Sequence, residues 1–105
     1  MAKVDINTRI KLASGAEIPQ LGFGVYQTPV GVAEDVTNHA VKSGYRHVDS
    51  AKAYRNEETT AKGMLKSGVP REQLFFTSKV PPREVSYEGA KKSVEESLQK
   101  TGLVR

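Results

Sequence analysis

Short apolar runs separated by turn-forming residues make up the beginning of the chain. Two extended runs, residues 9–12 and 16–20, flank a turn that ends in Gly15, and this spacing predicts a β-hairpin. The apolar, glycine-rich run of residues 21–26 predicts a further strand, and Pro29 interrupts the pattern before a helical periodicity begins. We therefore expect a hairpin followed by one buried strand.

Three helices are predicted after this strand, because apolar residues then recur at every third or fourth position. Gly44 and Gly102 stand where the first and third helices would end, since glycine adopts the left-handed conformation of a helix C-terminus. Asn56 and Ser86 stand where the second and third would begin, because their side chains can cap a first turn. The residues predicted to face the core are Val32, Val36 and Ala40 in the first helix, Ala61, Met64 and Leu65 in the second, and Ala90, Val94 and Leu98 in the third.

Extended runs at residues 45–50 and 75–80 separate the helices, so strand and helix alternate with a repeat of about 30 residues. Right-handed crossovers of this kind make the strands parallel. The predicted fold class is α/β, with an N-terminal hairpin and three βα units in one domain over residues 1–105. A fourth strand would follow Gly102, where residues 103–105 remain, so the predicted sheet has open edges that can pair with another chain.

The distribution of charge disfavours a nucleic-acid partner. The formal net charge is +4, from 16 basic and 12 acidic residues, but the basic residues are spread evenly along the chain and form no patch. Glutamate and lysine also stand four residues apart twice in the last helix, a spacing that predicts ion pairs on a solvated face. These pairs are Glu88 with Lys92 and Glu96 with Lys100.

Composition disfavours a metal site and a membrane span. The chain has no cysteine and two histidines, which make a poor set of metal ligands. It has no run of about 18 apolar residues, the length that a transmembrane helix needs. Residues 1–11 mix charged and apolar side chains and resemble neither a secretory signal nor a transit peptide. We therefore expect a cytoplasmic protein.

Three polar residues are predicted to meet at the carboxyl edge of the parallel sheet. Asp49 and Lys79 fall at the ends of the second and third parallel strands, on faces that neighbouring strands share. Tyr54 follows Asp49 by five residues, in a polar loop that can turn its phenol back toward Lys79. A free phenol has a pKa of about 10 and is a poor acid at neutral pH, whereas a neighbouring ammonium stabilises the phenolate.

Such an arrangement suits carbonyl reduction, in which negative charge grows on the oxygen as a hydride adds to the carbon. Tyr54 would supply the proton, Lys79 would stabilise the anion and Asp49 would orient Lys79. Structural alternatives exist for each residue. Asp49 and Lys79 can form an ion pair that fixes two strand ends, and Tyr54 can pack as a loop aromatic. The functional interpretation depends on all three together.

Four segments of the chain resemble the aldo-keto reductases in order and spacing. They are residues 18–26 (IPQLGFGVY), 44–57 (GYRHVDSAKAYRNE), 75–80 (FFTSKV) and 93–98 (SVEESL), the last followed by Gly102 and Leu103. The resemblance covers nearly the whole chain. It implies an eight-stranded (βα)8 TIM barrel closed at its base by the N-terminal hairpin, of which this chain would carry three repeats.

The resemblance also implies NADPH-dependent reduction of aldehydes or ketones to alcohols. Asp49, Tyr54 and Lys79 match three members of the family's catalytic tetrad, with Tyr54 as the proton donor. The fourth member is a histidine on the next strand, and it has no counterpart in this sequence. His39 and His47 do not match that position and are predicted to be structural.

Further positions of the family lie near the cofactor and the substrate. Gly24, Val25 and Asp49 match positions that approach the nicotinamide or its ribose, and Tyr26 matches a position in the substrate pocket. For Val25, ordinary barrel packing is an equal alternative. The choice between NADPH and NADH and the identity of the carbonyl substrate stay open, because the residues that decide them lie later in the family's sequence.

A second class of function competes with the enzyme. Three βα units with open sheet edges also fit a non-catalytic interaction module that self-associates or complements another chain. An isolated chain of 105 residues is expected to be incomplete as an enzyme, since a proton donor needs a bound hydride donor beside it.

Overall fold

A two-stranded antiparallel hairpin precedes a three-stranded parallel sheet in the computed structural model, which describes residues 3–103. A helix follows each strand of the parallel sheet, so the predicted order of a hairpin and three βα units is confirmed. The strands are β1 (Arg9–Lys11), β2 (Glu17–Pro19), β3 (Phe23–Gly24), β4 (His47–Asp49) and β5 (Phe75–Thr77). The helices are α1 (Val30–Lys42), α2 (Glu57–Leu65) and α3 (Tyr87–Thr101).

The parallel sheet has β4 at its centre, between β3 and β5. In its register Gly24 lies beside Asp49, and Asp49 lies beside Thr77, so the ends of the three strands are level. The strands are shorter than the sequence predicted, with two residues in β3 and three in β4 and β5. The chain stays hydrogen-bonded just beyond them, since the Ser50 amide donates to the Thr77 carbonyl at 2.8 Å.

The hairpin lies at the opposite end of the sheet from Asp49. Its turn places Gly15 at φ 94°, a conformation that glycine adopts without steric cost. The ring Nδ1 of His47, the first residue of β4, lies 3.1 Å from the Pro19 carbonyl at the end of β2. This contact joins the hairpin to the amino end of the central strand and leaves the carboxyl end open.

The hydrophobic core lies between the central strand and the helices. Its buried cluster consists of Val41, Val48, Met64, Leu74 and Leu103. Helices α1 and α2 approach so closely that a Cβ atom at position 63, where the chain has glycine, would lie 2.1 Å from the backbone oxygen of residue 34. The first two βα units therefore form a closely packed body.

Some residues predicted to face the core in α1 and α2 are exposed instead. In α1, Val32 and Val36 are exposed, and of the predicted face only Ala40 is buried. The residues that α1 buries are Ala33, Thr37, Ala40 and Val41. The close approach of the α2 backbone suits the small side chains of Ala33 and Ala40 on this face, which also carries Thr37 and Val41. In α2, Ala61 and Met64 are buried as predicted, but Leu65 is exposed.

The predicted core face of α3 was wrong as well. Val94 and Leu98 are exposed, whereas Ser93 and Thr101 are the residues that α3 buries. Val94 and Leu98 line an open groove of about 220 Å³ beside β5, so their apolar side chains have no covering layer within residues 3–103. The four-residue spacing of Val94 and Leu98 is typical of a helix face that packs against another element. No element within residues 3–103 covers this face.

The predicted ends of the helices agree better with the structure. The Ser86 hydroxyl accepts a hydrogen bond from the Gly89 amide at 2.9 Å and caps α3. Gly44 and Gly102 have φ angles of 123° and 73°, as expected for glycines that end α1 and α3. Of the residues predicted to begin a fourth strand, Leu103 joins the core, and residues 104 and 105 lie outside the described residues.

The ion pairs predicted along α3 are replaced by a different set. Glu96 binds Lys52, from a distant part of the chain, at 2.7 Å and approaches Lys92 at 4.0 Å. Local spacing identified Glu96 as a residue that pairs but gave the wrong partner. None of the helices within residues 3–103 has the length and apolar character that crossing a bilayer requires.

Candidate active site

Asp49 and Lys79 meet at the carboxyl edge of the sheet, as the strand register requires. Asp49 ends β4, and Lys79 follows β5 by two residues on the same side of the sheet. The Lys79 ammonium donates to Asp49 Oδ1 at 2.5 Å and to the Ser50 carbonyl at 2.8 Å. Both side chains stay partly open to solvent, with 45% of Lys79 and 36% of Asp49 exposed. The amine is thus held by two acceptors and still accessible.

Tyr54 closes this group from the side. It ends a short 3₁₀ turn, Lys52–Tyr54, that begins three residues after the end of β4. The Lys79 Nζ lies 5.0 Å from the centroid of the Tyr54 ring. The centroid of the Tyr26 ring lies 5.1 Å from that of the Tyr54 ring, and the two rings are tilted relative to each other. The predicted convergence of a carboxylate, a phenol and an amine is therefore confirmed, while their catalytic roles stay a prediction.

The charge of Lys79 is set by opposing effects. Partial burial is the largest and acts to lower the pKa of Lys79, but hydrogen bonding to Asp49 and to Tyr54, together with their charges, outweighs it. The pKa of Lys79 is therefore raised above its ordinary value, and the amine is an ammonium at neutral pH. A fixed positive charge beside a phenol is what the stabilisation of a developing phenolate needs.

Asn56 is a buried residue that joins three segments of the site. Its side-chain Nδ2 donates to the carbonyls of Val25 and Thr28 at 2.9 and 3.0 Å, and its Oδ1 accepts from the Ser50 hydroxyl at 2.8 Å. It stands at the start of α2 as predicted, but its side chain makes no capping hydrogen bond, so that prediction was wrong. No local pattern could have revealed its two carbonyl partners, which lie 31 and 28 residues away in the chain.

Lys52 is a second residue that the sequence analysis did not identify. It begins the turn that carries Tyr54, and its ammonium donates to Glu84 at 2.6 Å and to Glu96 at 2.7 Å. Only 16% of its side chain is exposed. Its partners lie 32 and 44 residues further along the chain, so no helical or strand spacing pointed to them.

The two histidines lie away from the group formed by Asp49, Tyr54 and Lys79. His47 is held from both ring nitrogens, with Nδ1 3.1 Å from the Pro19 carbonyl and Nε2 2.7 Å from the Thr77 hydroxyl. The backbone at Gly22 passes so close to this ring that a Cβ atom at position 22 would lie 3.0 Å from Nδ1 of His47. This arrangement agrees with the structural role predicted for His47. His39 is exposed on α1.

The residues predicted to approach a cofactor differ in what they offer. Gly24 lies beside Asp49 and has open space where a side chain would project, and 67% of Tyr26 is exposed. Gly24 thus leaves room for the predicted cofactor, and Tyr26 is open as its predicted place in the substrate pocket requires. Val25 is not open in this way, because its side chain is fully buried and its amide and carbonyl are bonded to Asp49 and Asn56. The position of Val25 agrees with the packing alternative.

Comparison with known proteins identifies the family. The model of the aldo/keto reductase family matches residues 20–105. The chain belongs to the aldo/keto reductase family. Asp49, Tyr54 and Lys79 all lie within the matched region, together with the whole parallel sheet and its helices.

Several aldo/keto reductases are similar in sequence over nearly all of this chain. An aldo-keto reductase of Mycolicibacterium smegmatis is 40% identical over 98 residues, which are 93% of this chain and 36% of that protein. The glyoxal reductase of Bacillus subtilis is 41% identical over 95 residues, 90% of this chain and 34% of its own length. The chain thus spans about a third of the length of the relatives it matches.

Solved structures of aldo/keto reductases have the same fold over the shared region. The enzyme from Brucella melitensis has a TM-score of 0.83 and 40% identity, covering 90% of this chain and 37% of its own. The Bombyx mori aldo-keto reductase, solved in complex with NADP, has a TM-score of 0.83 and 29% identity, covering 91% and 34%. The hairpin and the three βα units therefore correspond to the N-terminal portion of an aldo/keto reductase TIM barrel.

Proposed function

We propose that Asp49, Tyr54 and Lys79 carry the proton-transfer step of an NADPH-dependent reduction of small aldehydes or ketones to alcohols. The observation that carries the proposal is their convergence. Lys79 Nζ lies 2.5 Å from Asp49 Oδ1 and 5.0 Å from the centroid of the Tyr54 ring. Membership of the aldo/keto reductase family supports the reaction class.

In the proposed reaction a hydride adds to the carbonyl carbon while the Tyr54 hydroxyl gives its proton to the carbonyl oxygen. The Lys79 ammonium stabilises the phenolate that this transfer leaves on Tyr54. Asp49 and the Ser50 carbonyl hold the ammonium in place through bonds of 2.5 and 2.8 Å. Proton transfer by a positioned side chain contributes about 10²- to 10⁴-fold to a rate.

NADPH, when bound, would supply the hydride. Gly24 and Asp49 are the residues that fit its nicotinamide end, since both are reachable at the strand ends beside the amine and the phenol. The exposed Tyr26 ring, 5.1 Å from that of Tyr54, would bound the space for the carbonyl substrate. The Bombyx mori relative was solved with NADP, which supports this choice of cofactor.

The test is the substitution Tyr54→Phe, which removes only the hydroxyl. We expect NADPH-dependent loss of an aromatic aldehyde to fall by about 10²-fold or more, because no other group replaces the proton donor. The measurement is the rate of NADPH oxidation. Tyr87→Phe is the matched control, since Tyr87 is an exposed tyrosine of α3 and should leave the rate unchanged. Equal, measurable rates for the two variants would contradict the role of Tyr54.

The same variants are measured with a complementing chain, the region of the Bacillus subtilis relative that lies beyond the matched segment. This arm separates a missing portion of the barrel from a missing proton donor. If the mixture reduces the aldehyde and Tyr54→Phe abolishes that activity, the proposed role holds even where this chain alone is silent. If neither the chain nor the mixture shows activity, the enzymatic proposal fails.

A second candidate is a non-catalytic module that associates with a second copy of this chain through its sheet edges. It is favoured by the apolar grooves that flank both edges of the parallel sheet. The groove beside β5 is lined by Val94 and Leu98, and that beside β3, of about 530 Å³, by Phe23 and Val36. An edge strand next to exposed apolar side chains is suited to pairing with another chain.

Sedimentation at increasing concentration tests this second candidate. The double substitution Val94→Lys and Leu98→Lys places two charges in the β5 groove and should abolish association. Val85→Lys introduces the same side chain at an exposed position outside that groove and should leave association intact. A chain that is monomeric at every concentration would exclude the module, and dimers that survive the double substitution would exclude the β5 groove as its contact surface.

A further inference from the structure

The turn that carries Tyr54 has little intrinsic stability of its own. It is a single 3₁₀ turn of three residues, closed by a 3.0 Å bond from the Tyr54 amide to the Ala51 carbonyl. Arg55, which follows the turn as its C-cap, has φ 61°, a left-handed conformation that residues with a side chain adopt at a steric cost. Contacts with the rest of the molecule must therefore fix where the Tyr54 ring lies.

Lys52 supplies such contacts from the first position of the turn. Its ammonium bonds to Glu84 at 2.6 Å and to Glu96 at 2.7 Å, and its side chain is largely buried. Hydrogen bonds to Glu84 and Glu96 raise the pKa of Lys52, and the hydrogen bond from Lys52 lowers the pKa of Glu96. At neutral pH the lysine and Glu96 thus carry full charges, which makes their bond charge-assisted.

Both acceptors lie on well-anchored backbone. Glu96 lies within the 15-residue helix α3. Glu84 ends the short turn Pro82–Glu84, where its backbone oxygen packs against the start of α3 so closely that a Cβ at position 89 would lie 2.3 Å from it. This segment follows β5, the strand beyond which Lys79 lies. The bonds of Lys52 thus connect the turn bearing the phenol to the βα unit bearing the amine.

We propose that Lys52 is a positioning residue, which holds the Tyr54 ring against the Lys79 ammonium by anchoring the 52–54 turn to Glu84 and Glu96. The catalytic consequence rests on the proposed function, but the geometric claim does not. Loss of these two bonds frees the turn to move relative to β5, and the phenol then leaves the amine. Asp49 keeps its bond to Lys79 in either case, because both belong to the sheet edge.

Nuclear magnetic resonance tests the geometry without an enzyme assay. The Lys79 Nζ lies over the Tyr54 ring, 5.0 Å from its centroid, so the protons on the adjacent ε-carbon should show a ring-current shift. The same protons in Tyr54→Leu give the reference value without a ring. In Lys52→Met we expect at least half of this shift to disappear. In Lys52→Arg it should return, since a guanidinium can bind both carboxylates. A merely stabilising role for Lys52 would leave the shift of the folded protein unchanged.

The matched control is Lys66→Met. Lys66 pairs with Glu34 at 2.6 Å, the same distance as Lys52 with Glu84, but it joins the C-terminal end of α2 to α1 and makes no contact with the 52–54 turn. This variant should keep the full shift. If Lys52→Met does not fold, the double variant Glu84→Met and Glu96→Met removes both acceptors of the Lys52 ammonium with little change of side-chain length and should lose the shift. Retention of the shift in the folded variant lacking these pairs would overturn the proposal.

The enzymatic arm separates failure of this inference from failure of the proposed function. If reduction occurs, Lys52→Met should lower kcat about 10-fold or more and Lys52→Arg should restore it. A lost ring-current shift with unchanged kcat would leave Lys52 as the anchor of the turn and would count against Tyr54 as the proton donor. An unchanged shift would count against Lys52 alone.

Discussion

The two sides of the parallel sheet's central strand differ in how completely they are packed. On the α1–α2 side, Ala33 and Met64 are fully buried, and glycine at position 63 lets the two helices meet backbone to backbone. On the α3 side, 51% of Val94 and 37% of Leu98 remain exposed along a groove. The first side behaves as the interior of a domain, and the second as a surface with an apolar stripe.

The candidate site lies across the boundary between these two regions. Asp49 belongs to the central strand of the packed side, whereas Lys79 extends from the edge strand β5 on the open side. The geometry of the site therefore depends on links between them, among which are the Asp49–Lys79 ion pair and the bonds of Lys52 to Glu84 and Glu96. The comparison predicts that stability resides mainly in one region and site geometry in the connection between the two.

The largest expected effect is a loss of stability on truncating a side chain in the buried core, compared with the same change in the open groove. Met64→Ala removes a fully buried side chain from the central cluster and should lower the free energy of unfolding by about 2–5 kcal/mol. Leu98→Ala removes a similar volume from the open groove and should cost only about 1 kcal/mol. Urea unfolding monitored by circular dichroism measures both. Equal losses would show that the α3 side is as well packed as the α1–α2 side.

The hydrophobic pattern predicted the order of elements correctly but misplaced several of the buried faces. The elements followed from turn residues such as Gly44 and Ser86, whose roles are local and depend on backbone conformation. Which face a helix buries depends instead on how closely its neighbour approaches. In α1 the face toward α2 carries Ala33 and Thr37 rather than the more hydrophobic Val36, which spacing alone cannot reveal.

The residues of the candidate site also fall into two groups, those that the sequence could predict and those that it could not. Asp49 and Lys79 could be placed together from the sequence, because parallel strands end at one edge and their register is regular. Tyr54 could be added because only a few residues separate it from Asp49. Asn56 and Lys52 could not be foreseen, since their partners lie in distant segments and polar residues before a helix are usually caps or solvated.

A smaller effect sharpens the account of the packed side. Gly63→Ala places a Cβ 2.1 Å from the Glu34 carbonyl oxygen, a backbone atom that can move only with its helix, and should cost about 1–3 kcal/mol. Gly31→Ala, in α1, meets nothing within 4 Å and should be neutral or slightly stabilising. Thermal unfolding of the two variants gives the contrast. A Gly63→Ala protein as stable as the parent would show that the helices can separate without cost.

The smallest expected effect is a difference in how acid weakens two ion pairs, one on the α1–α2 side and one on the α3 side. Glu34 binds Lys66 across α1 and α2, and Glu96 binds Lys52 from α3. These lysines lower the pKa of Glu34 and of Glu96 below the ordinary 4.5, chiefly through their hydrogen bonds. Because the folded pKa is the lower one, each pair stabilises the fold fully above about pH 4.5 and is lost as pH falls through the lowered pKa.

Replacing each carboxylate by its amide should therefore weaken the dependence of stability on pH between neutral and acidic solution. We expect a larger change for Glu96→Gln than for Glu34→Gln, because Lys52 is 16% exposed and Lys66 is 56% exposed, so solvent screens the second pair more. Urea unfolding of both variants at pH 7 and pH 3.5 measures the difference. A larger change for Glu34→Gln would mean that the pair joining α1 and α2 matters more for the fold than the pair that anchors the Tyr54 turn.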